Sequence, residues 1–250
     1  MIKLIKDSYA VALRDWMKKE KLRDLIISFL FIVGIIYIIG FGIEKIVSTS
    51  LIASYSSFFS FGMIIYFVIF TGVAIGSEII FDTGGYIKVL LVAPISKYSI
   101  LFGKALSFVI NSIKFYFVIG IVFLFLTKNF SFLRLLFLPL YLFFVALTGI
   151  AIGILLSTIT SDRKKNQYIV GVSSFVILFL SGIVFPSSQL PKAFQVALQT
   201  NPIVFITDGF RHLMIGTGEY LFLLDLAISL SFMLLAVFVS VQYFDRSVRK

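Results

Sequence analysis

Cysteine is absent from the 250-residue chain, and histidine occurs once, at His212. The first absence excludes disulfides, a thiolate nucleophile and any cysteine-ligated metal. The second removes the material for a multi-histidine cage or relay, so no metal site is expected. Charge is scarce too. Only 14% of residues are Asp, Glu, Lys or Arg, where a soluble domain carries about 25%. The only Gly-Lys pair, Gly103–Lys104, lacks the upstream glycine of a phosphate-binding loop, so ATP hydrolysis by that route is excluded. No GxSxG, HExxH or paired-aspartate pattern falls in an apolar run. An enzyme is therefore not the expected reading.

What is abundant is apolar surface. The chain is 60% hydrophobic and 17% aromatic, with 30 phenylalanines and a mean hydropathy of +1.07. A membrane-spanning helix needs about 20 apolar residues. Six runs qualify, at 25–41, 58–80, 107–126, 135–159, 168–185 and 220–244. They do not alternate in segments of about 10 residues as barrel strands do, so helices are expected. The reading is an all-α membrane protein, one domain over 1–250, with the six-helix part at 25–245. The first run is not expected to be a cleaved signal peptide, because a polar, charged stretch precedes it and no small-residue cleavage site follows.

The net charge of +10 is read as an orientation signal, not as a nucleic-acid footprint. Lys and Arg gather before residue 24, at Lys88, Lys97 and Lys104, at 163–165, and at 246–250. The alternate segments hold only Lys45, Lys128, Arg134, Lys192 and Arg211. The positive-inside rule then places both termini in the cytoplasm of a multi-pass plasma-membrane protein.

Residues 2–20 are too charged to span. Ile2, Ile5, Tyr9, Leu13 and Trp16 recur every three or four positions, which predicts a basic amphipathic helix over 1–24 lying on the membrane surface. Gly72 and Gly76 form one GxxxG, and Gly149 and Gly153 another; such pairs let helix backbones approach closely.

Ionisable residues inside spans are candidates for an intramembrane polar site. They are Glu78, Lys114 and Asp225. Lys114, one turn after Asn111, lies near mid-membrane or snorkels to the interface, depending on where its helix begins. Three scattered charges make a poor proton relay, which leaves an ATP-independent transporter or channel as an alternative.

Residues 186–219 form a long outer segment. Two helix-like stretches, 190–198 and 203–215, flank Thr200-Asn201-Pro202, a turn signal whose proline suits the first turn of the next helix. Asp208 and Arg211 stand at i,i+3, where opposite charges can pair. The pattern fits two short re-entrant helices dipping in from outside, carrying Pro186, Pro191, Asn201, Pro202, Asp208 and Arg211. It also fits an interfacial loop without a gating role.

Two motifs resemble those of a known family. Residues 85–96, GYIKVLLVAPIS, are similar to the pattern G-T-x-E-x-L-x-x-x-P-x-S of the membrane subunit of type-2 ATP-binding-cassette (ABC) exporters. This group includes daunorubicin-resistance-like permeases and polysaccharide or O-antigen exporters. Residues 181–214 resemble the family's small-G…P…LP…NP…DxxR signature at Gly182, Pro186, Leu190, Pro191, Asn201, Pro202, Asp208 and Arg211. The first motif departs from the pattern at Tyr86 and Lys88.

The resemblance implies a coupling helix between the second and third spans, docking on a separate ATPase subunit that binds ATP and Mg. It also implies a second permease copy, as a homodimer. Of the docking residues so implied, Tyr86, Val89, Leu90 and Val92 supply apolar anchors. Gly85 permits the turn in, Lys88 stands where the family has an acid, and Pro94 limits the far end. No cofactor is expected on this chain. The substrate class implied is lipid-like, amphiphilic or drug-like, with a glycan as the alternative.

Overall fold

A computed structural model describes residues 2–16, 30–31, 33–44, 55–81, 96–111, 132–216 and 218–248. Among these the fold is all-helical, without strands. The helices are α1 (Ile2–Trp16), α2 (Tyr55–Ile80), α3 (Lys97–Asn111), α4 (Phe132–Ser157), α5 (Arg163–Leu180), α6 (Lys192–Thr200), α7 (Pro202–Ile215) and α8 (Phe222–Val248). Before α2, a π-helical stretch, Ile36–Phe41, runs into the short turn Gly42–Glu44. Three described helices are long and apolar enough to cross a membrane, over Tyr55–Ile80, Leu136–Ser157 and Phe222–Tyr243.

The centre of the bundle is the pairing of α2 with α4. The two helices run parallel, because Gly72 lies against Gly149 and Gly76 against Gly153. The two GxxxG motifs therefore face each other. A Cβ on Gly76 would overlap the carbonyl of Ile150, and one on Gly153 would overlap that of Val73. Between lipid-soluble helices such close backbone approach supplies the packing that the hydrophobic effect cannot. Ile65, Ile69 and Val73 of α2, Leu142, Ala146 and Ile150 of α4, and Met233 and Val237 of α8 join one core. Phe210 and Met214 of α7 enter that core from the end at which α8 begins.

The first helix packs through Ser8, Val11 and Ala12 and not through Ile5 and Tyr9 of the expected apolar stripe. Ser8, Val11 and Ala12 are buried, with Val11 set against Gly103 of α3. Ile5 and Tyr9 are left exposed, at 61% and 55%. One face of α1 is thus bound to the bundle, and Ile5 and Tyr9 of the expected stripe lie off that face.

The structure shifts two of the expected boundaries. The fifth run was expected at 168–185, but α5 starts at Arg163 and ends at Leu180. Asp162 caps it, its Oδ1 accepting from the backbone N–H of Lys164 at 2.8 Å and of Lys165 at 3.4 Å. A capped helix continues through polar residues that a search for apolar runs leaves out. At the other end Gly182 takes φ +62°, a left-handed conformation that suits glycine and stops the helix. The third run was expected at 107–126, and the helix there is already formed at Lys97. Residues 112–131, with Lys114, lie outside the described residues, as does the whole 82–95 segment.

Candidate functional site: a polar staple around α6 and α7

Residues 181–222 leave α5, form the α6–α7 pair and enter α8. The break between the pair is local chemistry. Asn201 is the N-cap of α7, its Oδ1 accepting from the N–H of Ile203 at 3.0 Å, and Pro202 sits at the first helical position. Both are favoured there, because an Asn side chain satisfies an orphan amide and proline has no amide to leave unsatisfied. Gly216, with φ 81°, closes the far end.

Between α5 and α6 the backbone is irregular apart from one 3-10 turn, and Ser181, Gly182, Ile183 and Pro186 are buried, so carbonyls there need partners from elsewhere. Side chains supply them. Asn201 Nδ2 donates to Leu180 O at 2.6 Å. Arg211 Nη2 donates to Gly182 O at 2.9 Å and reaches Ile183 O at 3.5 Å. Tyr55 OH donates to Val184 O at 2.8 Å. The Arg211 guanidinium also donates to Phe58 O, at 3.2 and 3.3 Å, and lies 3.4 Å from the centre of the Phe58 ring. Gly62 leaves room for it, since a Cβ there would come within 2.9 Å of Nη2. Burial pulls the Arg211 pKa down to about 10, against the pull of Asp208 and Glu219, and the group stays a cation at neutral pH.

The entry to α8 is fastened by the same helix. Asp208 Oδ2 accepts from the N–H of Glu219 at 2.7 Å and of Tyr220 at 2.9 Å. Glu219 Oε1 in turn accepts from the N–H of Ser187 at 2.8 Å, which ties the start of α8 to the exit from α5. On the facing side Tyr141 OH of α4 donates to Ile206 O at 2.5 Å. One turn beyond Asp208, His212 Nδ1 stands 2.9 Å from Asp225 Oδ2 and 3.9 Å from Asp208 Oδ2.

This geometry corrects one expectation. Asp208 and Arg211 form no ion pair despite their i,i+3 spacing: Arg211 gives its hydrogen bonds to the carbonyls of Phe58, Gly182 and Ile183, and Asp208 accepts from the amides of Glu219 and Tyr220. Asn201 and Arg211 fasten the exit from α5, Asp208 fastens the entry to α8, and Pro202 starts α7. Of the other residues named from sequence, Pro186 is the N-terminal flank of a single 3-10 turn, Ser187–Gln189, and Pro191 that of α6. Glu78 is exposed, whereas Asp225 is fully buried against His212; they are not in contact. Gly85, Tyr86, Lys88, Val89, Leu90, Val92, Pro94 and Lys114 fall outside the described residues. His212 was not singled out as a partner of Asp208 and Asp225. Its i,i+4 spacing from Asp208 was the available signal.

Apolar side chains also cover the outside of the bundle. Leu234, Leu235 and Phe238 of α8 and Val172, Phe175 and Phe179 of α5 are exposed. With three helices long enough to span, this defines an integral membrane protein. The family is specific: residues 43–241 match the one described as "ABC-2 family transporter protein". The chain belongs to that family and is a transporter permease of the ABC-2 type. It is also similar to proteins named Nodulation protein J. With that of Rhizobium meliloti (strain 1021) it shares 38% identity over 76 residues, 29% of each chain. With that of Rhizobium leguminosarum bv. trifolii it shares 39% over 75 residues, again 29% of each. With that of Bradyrhizobium diazoefficiens it shares 30% over 105 residues, 41% of this chain and 40% of the relative. The matches thus span less than half the length of these relatives.

Proposed function

We propose that the chain forms the translocation path of an ATP-driven exporter, paired with a second copy of itself and served by a separate ATP-binding subunit. The observation that carries this reading is the family match over 43–241. The family's membrane subunit holds no nucleotide, which agrees with the missing phosphate-binding loop here. ATP and Mg belong to the partner. The partner docks on the cytoplasmic segment containing Gly85, Tyr86, Lys88, Val89, Leu90, Val92 and Pro94. Both termini face the same compartment, and the α6–α7 pair lies at the outer exit.

The substrate is lipid-like or amphiphilic in this reading, in keeping with the apolar faces that α5 and α8 present. A glycan is the second reading. It is favoured by the exposed aromatic row Tyr168, Phe175 and Phe179 along α5, because flat apolar rings suit the faces of sugars.

The docking claim has a direct check. Leu90→Asp places a charge where an apolar anchor must enter a partner cleft. The variant is expected to insert in the membrane at wild-type levels and to lose at least about 90% of its associated ATPase, corresponding to a loss of about 1.4 kcal/mol or more. Unchanged association would remove Leu90 from the interface.

A further inference from the structure

We propose that Asp208, His212 and Asp225 bind a divalent transition-metal cation of the Zn2+ type, which ties the re-entrant helix α7 to the first turn of α8. Each of the three offers one ligand atom, and these atoms all lie within 4.8 Å of one another. A zinc ion holds imidazole nitrogen and carboxylate oxygen at roughly 2.0–2.2 Å, so tetrahedral neighbours are about 3.4 Å apart. His212 Nδ1 is 2.9 Å from Asp225 Oδ2 and 3.9 Å from Asp208 Oδ2. Shifts of about half an ångström in opposite senses would give both contacts that spacing.

The independent sign of a missing ligand is on the carboxylates. Asp208 and Asp225 are 1% and 0% exposed, yet Oδ1 of each has no hydrogen-bond partner. A buried acceptor without a donor is costly, and a buried carboxylate more so. Two carboxylates facing one imidazole also repel each other. The adjacent Arg211 cation attracts Asp208 but gives neither Oδ1 a hydrogen bond, because its donors are directed at Phe58, Gly182 and Ile183. A single proton between His212 and Asp225 serves one oxygen only. A divalent cation neutralises both carboxylates and takes one oxygen of each, either Oδ2 at the distances above or the unpartnered Oδ1; it replaces that proton, which leaves to solvent, and turns Nδ1 into a ligand.

The surroundings are those of a supported site. Asp208 Oδ2 is held by two backbone amides, the kind of outer contact that fixes a ligating carboxylate. Gly218 closes over the group: a Cβ there would overlap the His212 ring and lie 2.8 Å from Asp208 Oδ2. His212, at 15% exposure of its side chain, is the one ligand open to an entering ion. The scarcity of histidine led to the expectation of no metal site, but one histidine with two carboxylates is a donor set that needs no second histidine.

The test uses the full chain, purified with an affinity tag free of histidine and treated with chelator. Wild type titrated with ZnCl2 is expected to retain one Zn2+ per chain after desalting, to unfold at a higher temperature, and to give a visible d–d band when Co2+ replaces Zn2+. Asp225→Asn and His212→Gln are each expected to weaken binding by more than about 100-fold and to lose the Co2+ band. Gly218→Ala keeps all three ligands and is expected to weaken binding by crowding them. Folded wild type that retains no Zn2+ would overturn the site and leave a shared proton in its place. Equal retention by wild type and both ligand variants would place the metal elsewhere and overturn it as well. The wild-type result decides even if a variant fails to fold.

Discussion

Alanine at Gly76 or at Gly153 is expected to lower the melting temperature of the purified protein by about 10 °C, and leucine at either to abolish the folded state. At Gly76 the added Cβ overlaps the Ile150 carbonyl and comes 2.9 Å from the backbone nitrogen of Ile154. At Gly153 it overlaps the carbonyl of Val73 and lies 2.8 Å from that residue's carbonyl carbon. These are helix backbone atoms, which cannot rotate aside as a side chain does, so α2 and α4 must separate. Overpacking of this kind costs about 3 kcal/mol, and about 3 °C is lost per kcal/mol in a chain of this size. The same geometry ranks the series. Gly149 is the milder case, with a Cβ 2.7 Å from Ile69 O, and Gly72 the mildest, at 3.0 Å from Ala146 O. Gly171 has nothing within 4 Å, and alanine there is expected to be neutral or slightly stabilising. Thermal unfolding of the five alanine variants in detergent checks the order. Equal stability of Gly76→Ala and Gly171→Ala would remove the α2–α4 seam from the account.

Loss of Arg211 is the second large effect. The side chain is 3% exposed and gives its donors to three backbone carbonyls, of which those of Gly182 and Ile183 sit outside any helix. Arg211→Met leaves both without this donor, at about 1–3 kcal/mol for each buried acceptor, and removes a cation from the Phe58 ring. The expected destabilisation is on the order of 4 kcal/mol, read as a large loss of monodisperse protein and of melting temperature. Arg211→Lys keeps the charge but replaces a planar fork by a single ammonium, so a partial recovery is expected. Wild-type stability in the methionine variant would mean that the exit from α5 is held by other contacts.

The large apolar elements were legible because the bilayer imposes length and composition directly. The runs at 58–80 and 135–159 correspond to α2 and α4 within three residues at either end, and the run at 220–244 lies within α8 apart from its first two residues. The Asn201–Pro202 break was legible too, since capping depends on residues adjacent in sequence. The small-residue pairs were visible as motifs, but which faced which depends on how the helices pack. The start of α5 was missed because Asp162 extends it through Arg163, Lys164 and Lys165, which no apolar run includes. The His212–Asp225 contact joins residues 13 apart on two helices, and nothing in local spacing specifies it. Arg211 shows the opposite failure. Its i,i+3 spacing from Asp208 suits an ion pair, but the carbonyls of Gly182 and Ile183 at a buried turn take its donors instead.

The central claim is that this permease works as half of an ATP-driven exporter. It is tested most directly by gentle purification from native membranes, with mass spectrometry of the complex and an ATPase assay on it. A nucleotide-hydrolysing subunit in equal amount with this chain is the expected result. A permease that purifies alone and still moves its substrate without ATP would contradict it.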